Sequence, residues 1–170
     1  MKPTINYLNQ ALAFQLEGMY CLTKQLQEET AAISRAVSDP ELAEIVESYR
    51  QNLADQRLRL KRIFGYLLSG PYHRKSEAFS TCSRFSDVNG KNILPHLRDV
   101  LVSDELRSTI QYMIASYNSA RYIAMRSELD TVARLLDEIV LSEEEFSQKV
   151  KRLFATCVNN ACLFSPVESN

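Results

Sequence analysis

Apolar side chains recur at steps of three and four along this chain, in four stretches of roughly thirty residues each, a spacing that places them on one face of an α-helix. Little interrupts these runs. The 170 residues contain 4 glycines and 5 prolines, with 45% hydrophobic and 24% charged residues. A chain so poor in helix breakers and so evenly charged reads as an all-α globular protein. The first helix is expected from about Asn6 to Val37, carrying Leu8, Leu12, Leu16, Met19, Leu22, Leu26 and Ile33. Ser38-Asp39-Pro40-Glu41 stops it and starts the second, with Ser38 and Glu41 read as a capping box and Pro40 in the first turn, where a missing N–H does no harm. The second runs from Asp39 to Ser69 along Leu42, Ile45, Tyr49, Leu53, Gln56, Leu60 and Phe64, and Gly70-Pro71 ends it.

Two long rods joined by a short link are antiparallel neighbours. Residues 71–102 are less regular and read as a cross-connection, with a short extra helix over Ser76–Val88 and a turn at Asn89-Gly90-Lys91-Asn92. The third long helix is expected from Ser103-Asp104 to about Glu128, and the fourth from about Asp130 to Ala161. The expectation is a single four-helix-bundle domain over 1–163 with a loose tail over 164–170.

Composition narrows the function classes. A net charge of −1 gives no general pull toward nucleic acid or acidic membranes. Arg50, Arg57 and Lys61 share a face of the second helix, but Glu41, Glu44 and Glu47 lie on the same helix, so a solvated face is expected and no nucleic-acid partner. No apolar window is long enough for a membrane span, and no signal segment is visible. Cys21, Cys82, Cys157 and Cys162 have no Cys-x-x-Cys spacing and are read as free thiols in a reducing, cytoplasmic setting. Cys82 near His73 has no third group to orient it, which leaves nucleophilic catalysis without support.

Each helix seam carries polar residues near its midpoint: Gln15 and Thr23 in the first, Gln56 in the second, Ser116 and Ser119 with Tyr117 and Tyr122 in the third, Glu143 in the fourth. Either they meet in a hydrogen-bonded layer across the bundle, with Gln56, Tyr122 and Glu143 as its members, or they sit at the stripe edges and reach water. Glu143 needs a partner if buried, and a Tyr hydroxyl, Arg121 or Gln56 would serve. The third helix is apolar nearly all round. It is therefore read either as a buried central helix or as a subunit interface, with Tyr112, Met113 and Tyr117 as the interface candidates and a homodimer as the expected assembly.

The order of segments resembles the YciE/YciF-like family of ferritin-like helical bundles. The residues that carry the likeness are Tyr20-Cys21-Leu22-Thr23-Lys24-Gln25-Leu26, Asp39-Pro40-Glu41-Leu42, the stretch Gln56 to Phe64 with Gln56, Arg59, Leu60 and Phe64, then Cys82, Leu135-Leu136 and Val158-Asn159. The resemblance implies a ferritin-like four-helix bundle and a link to stress. It also implies metal-ligand positions, and there this chain departs. Thr23 stands where the family's first helix has Glu. Asn52 and Gln56 stand for an acidic residue and a Gln or His. Ser119-Ala120-Arg121-Tyr122 replaces Glu-His-x-Glu, and Ser142-Glu143 replaces Glu-Glu.

Only two histidines occur, His73 and His96, and no Glu-x-x-His, the pairing that carboxylate di-metal bundles use. No cofactor is therefore expected. The reading is a non-catalytic interaction or structural bundle. The alternatives are a metal-binding ferritin-like oxidase and a small-molecule binder in the bundle core.

Overall fold

The computed structural model describes residues 7–68, 85, 88 and 91–164. Its four long helices are α1 (Leu8–Ile33), α2 (Pro40–Tyr66), α3 (Pro95–Arg126) and α4 (Asp130–Phe164), and no strand occurs among the described residues. α1 lies against α2 and α3, and α4 lies against α3 and α2. Neighbouring pairs run antiparallel. Tyr20 meets Phe64 while Gln27 meets Arg57 across α1 and α2. Tyr49 meets Phe146 while Arg59 meets Glu138 across α2 and α4. His96 meets Phe164 while Arg121 meets Asp137 across α3 and α4. Two tight turns join α1 to α2 and α3 to α4, and one long crossover joins α2 to α3.

One core fills the space between the helices. Leu12, Leu16, Leu26, Leu42, Leu53, Leu60, Leu106, Ile110, Leu136, Ile139 and Val150 are each 0% exposed. Burying a side chain of this size contributes about 1.5–3 kcal/mol. Phe85 and Val88, within the crossover, are buried in the same cluster. The rest of the expected short helix over Ser76–Val88 lies outside the described residues, as do Gly70-Pro71, His73, Cys82, the start of the turn at Asn89-Gly90 and residues 165–170.

Three boundary expectations are corrected. Asp39, not Ser38, caps α2: Asp39 is extended (φ −77°, ψ 121°) and its Oδ1 accepts from the Leu42 N–H at 3.0 Å. The Ser38 hydroxyl donates instead to Asp99 of α3. α3 begins at Pro95, two turns before the expected Ser103-Asp104, because Pro95 sits at N1, where a proline's fixed φ suits a helix start. Ser103 is then an interior residue with its hydroxyl turned back to the Val100 carbonyl at 2.9 Å. Phe164, expected in the tail, is the last residue of α4.

The extra length of α3 is anchored. Asp99, 5% exposed, accepts from the Ser38 N–H at 2.8 Å, the Asp39 N–H at 3.0 Å and the Ser38 hydroxyl. One carboxylate thus ties the start of α3 to the α1–α2 turn. At the other end, α3 closes with Glu128 in the left-handed region (φ 59°) and the Leu129 N–H bonded to the Ala124 carbonyl at 3.0 Å.

Candidate functional site: a buried polar network at the bundle centre

Glu143 of α4 is 0% exposed, although Glu144 and Glu145 beside it are exposed. α2 supplies its partners. Tyr49, Asn52 and Gln56 follow one another at three- and four-residue steps, so they line one face of that helix. The Tyr49 hydroxyl donates to Glu143 Oε2 at 3.0 Å, and Asn52 Nδ2 and Gln56 Nε2 both donate to Oε1, the former at 3.3 Å. The outer ends of the two amides are occupied as well. The Tyr117 hydroxyl of α3 donates to Gln56 Oε1 at 3.2 Å, and the Ser142 hydroxyl donates to Asn52 Oδ1 at 2.6 Å. The Phe146 ring meets Tyr49 edge-on, with centroids 5.2 Å apart.

Every hydrogen bond in this network runs toward the carboxyl, and every donor is neutral. Burial pushes the Glu143 carboxyl up to about 8, against the lowering effect of the Gln56 and Tyr49 hydrogen bonds. Burial, reinforced by Glu143, also holds the Tyr49 and Tyr117 hydroxyls well above the usual tyrosine value.

The structure brings together Gln56, Asn52, Ser142 and Glu143 of the candidate residues, and leaves three aside. Tyr122 is 65% exposed and is not part of the network; Tyr117 takes that place. The two tyrosines are five positions apart, about 140° around a helix, so only one faces inward. Thr23 is fully buried, but its hydroxyl donates to the Tyr20 carbonyl of its own helix at 2.9 Å. Ser119 is exposed and bonds back to the Ala115 carbonyl. Gln15 reaches across from α1 to the Ser116 carbonyl at 3.0 Å. Arg121, a candidate partner for Glu143, pairs with Asp137 instead.

Tyr49 is the residue that sequence reasoning read only as an apolar seam position. Its place seven residues before Gln56 on the same face was the available signal, because a buried tyrosine hydroxyl seeks a partner.

The interface candidates are also corrected. Met113 and Tyr117 are 0% exposed inside this chain, whereas Tyr112 is 39% exposed on the outer face. α3 looked apolar all round because its inner face is core and one outer row carries no charge between Ser108 and Tyr122: Ser108, Tyr112, Ala115, Ser119 and Tyr122 are exposed along it. On the basic face of α2, Arg50 pairs with Glu47 and Arg57 meets Gln27 and the Tyr20 ring, Arg59 beside them pairs with Glu138, and Lys61 is exposed. Burial pushes the Cys157 thiol up to about 11, against the lowering effect of Ser103, and Cys162 is exposed.

A di-metal centre does not fit these residues. Such a centre needs several carboxylates and imidazoles, and one carboxylate stands here. Both Glu143 oxygens already accept from protein donors, and the N–H groups of Asn52 and Gln56 point at the place a cation would take. Among the described residues no cluster of three or more His, Cys, Asp or Glu side chains could hold a metal ion.

Fold and centre together define an all-α four-helix bundle with one long crossover and a hydrogen-bonded polar core. The chain belongs to the family described as "Domain of unknown function (DUF892)", whose model matches residues 7–163. Among solved structures it is similar to the Escherichia coli stress protein YciF, at 20% identity and TM-score 0.85, covering 91% of this chain and 99% of that one. It is also similar to YcfI of Rhodopseudomonas palustris, provisionally termed a structural protein, at 17% identity and TM-score 0.81, covering 89% and 97%. A protein of Xanthomonas campestris matches at 16% identity and TM-score 0.72, covering 89% and 94%. At these identities the likeness is one of fold. No curated protein matches the chain. Among the described residues no helix is long and apolar enough to cross a membrane.

Proposed function

We propose that this chain is a ferritin-like bundle without a metal centre, acting in the cytoplasm as a non-catalytic interaction or structural protein. The observation that carries the reading is that Glu143 accepts only from the neutral groups of Tyr49, Asn52 and Gln56, and that among the described residues no cluster of three or more ligating side chains could complete a metal site around it. The relative YciF is a stress protein, and a link to stress is the biology that relative suggests for this chain. A ligand cavity at the centre has no support, since Tyr49 and Tyr117 are 0% exposed and Phe146 is 9% exposed.

Metal analysis of the untagged protein tests the reading. Iron and manganese well below one equivalent are expected, and either metal near stoichiometric amounts would return the chain to the oxidase class.

A homodimer is the proposed assembly. The uncharged outer row of α3, with Tyr112 and Tyr122 flanking Ala115 and Ser119, supports it, because tyrosines with small residues suit a helix–helix contact. Light scattering that finds a monomer at micromolar concentration removes this part of the proposal.

A further inference from the structure

Glu143 poses a charge problem. The one charged residue that α1 buries, Glu17, is itself acidic, and α4 packs chiefly against α2 and α3, which supply the hydrogen-bonding network around the carboxyl. From α2 it meets Tyr49, Asn52 and Gln56, and Tyr117 of α3 reaches it through Gln56. The titratable groups on these faces are the two tyrosines, and neither is a cation. α2 buries no charged residue. α3 buries Asp99 and Glu105, both acidic, and the nearer of them lies about 18 Å along the helix from Tyr117. Arg50, Arg57, Arg59 and Arg121 are engaged with other side chains, and Lys149 lies over the Phe146 ring.

A buried carboxylate with no cation is heavily penalised. The inward-pointing N–H groups exclude a metal from its side. A proton is the one positive charge that needs no further ligands, and solvent supplies it. We propose that a proton on Glu143 stands in for the missing cation, and that the Gln56 carboxamide responds to it by turning between α4 and α3.

With Glu143 ionised, Gln56 Nε2 donates to the carboxylate and Gln56 Oε1 accepts from Tyr117, as observed. With Glu143 protonated, a half-turn of the amide lets Oε1 accept the new carboxyl O–H while Nε2 donates to the Tyr117 oxygen. Tyr49 and Asn52 go on donating to the carboxyl in both states. The turned state orphans one hydroxyl hydrogen of Tyr117, a smaller penalty than a buried unpaired charge. Proton uptake thus moves one hydrogen-bond donor from the α2–α4 contact to the α2–α3 contact. Because burial lifts Glu143 to about 8, the exchange falls in the neutral to mildly alkaline range.

This inference rests on the metal-free reading of the centre, and the test separates the two. The ¹⁵N-labelled full-length protein, treated with EDTA, is titrated from about pH 5 to 9, a range that brackets the lifted carboxyl. Side-chain amide resonances are followed, with those of Gln56 identified by their absence in Gln56→Met. The Gln56 Nε2 protons are expected to shift in one step with a midpoint near 8, and to stay fixed in Glu143→Gln. In parallel, the infrared carbonyl band of a protonated carboxyl is expected at neutral pH in wild type and is lost in Glu143→Gln. A missing band in wild type, a Gln56 amide that does not move, or one that moves equally in Glu143→Gln each overturns the switch. The titration is then repeated with one equivalent of Mn²⁺ or Zn²⁺ and is expected to be unchanged. Metal-induced shifts at Gln56 would instead overturn the metal-free reading beneath it.

Discussion

Replacing Asp99 with alanine tests the joint that fixes where α3 begins. The carboxylate accepts three hydrogen bonds from Ser38 and Asp39, about sixty residues earlier in the chain. A hydrogen bond to a charged group contributes about 1.5–3 kcal/mol, which would sum to well over 4 kcal/mol if all three were lost in a dry interior. Ser38 is exposed, however, so its N–H and hydroxyl can turn to water once the carboxylate is gone. The uncompensated loss is then nearer to one charge-assisted bond, plus the attraction of a carboxylate for the N-terminal end of α2, about 0.3–1 kcal/mol.

The expected destabilisation for Asp99→Ala is therefore about 2–3 kcal/mol. In thermal terms that is a drop in Tm of roughly 5–10 °C for a domain of this size. Asp99→Asn keeps an acceptor and loses the charge, so about half of that is expected. Urea unfolding followed by far-UV circular dichroism reads the difference as a lower midpoint at unchanged slope. An Asp99→Ala protein within about 0.5 kcal/mol of wild type would refute the argument that this side chain anchors the first turns of α3.

Glu143→Gln should flatten the pH dependence of stability. The folded carboxyl lies near 8 against its ordinary 4.5, so the wild-type fold holds the extra proton between these values. Its stabilisation is complete below about 4.5 and is lost as pH rises through about 8, at about 1.4 kcal/mol per pH unit. Denaturant titrations that give parallel pH profiles for wild type and Glu143→Gln would rule this out. Tyr117→Phe should cost about 1–2 kcal/mol by orphaning the end of the Gln56 carboxamide that faces α3, while Tyr122→Ser should stay within about 0.5 kcal/mol, and equal effects in thermal melts would contradict the assignment of inner and outer tyrosine. Glu128→Gly should raise stability by about 0.5–1 kcal/mol, since only glycine adopts the φ of 59° without penalty, and a lower Tm would disprove it.

The helices themselves were legible because apolar spacing is local. Leu42, Leu53 and Leu60 repeat on one face of α2 whatever lies opposite them. The short link that makes α1 and α2 an antiparallel pair was equally plain. Boundaries were harder. Ser103-Asp104 has the composition of a helix start, yet α3 runs through it, because Pro95 begins the helix earlier and Asp99 finds its partners on a turn far away in the chain.

The centre shows where local information stops. The sequence by itself determined that Gln56 and Glu143 fall near the midpoints of their helix seams, and that the chain has no Glu-x-x-His. Tertiary structure alone decided which hydroxyls join them. Tyr117 is in phase with Leu106, Ile110 and Met113, but Ile114, Tyr122 and Met125 give the same helix a second apolar side, so the sequence does not say which tyrosine faces inward. The rotation of α3 against α2 and α4, fixed by the packing of Leu106, Ile110 and Met113, turns one into the core and leaves the other in water. The same packing brings Tyr49 and Glu143, ninety-four positions apart, within hydrogen-bonding reach. Helical phase follows from nearest neighbours along the chain, but the partner of a buried polar group depends on how whole helices meet, and only the assembled bundle sets that.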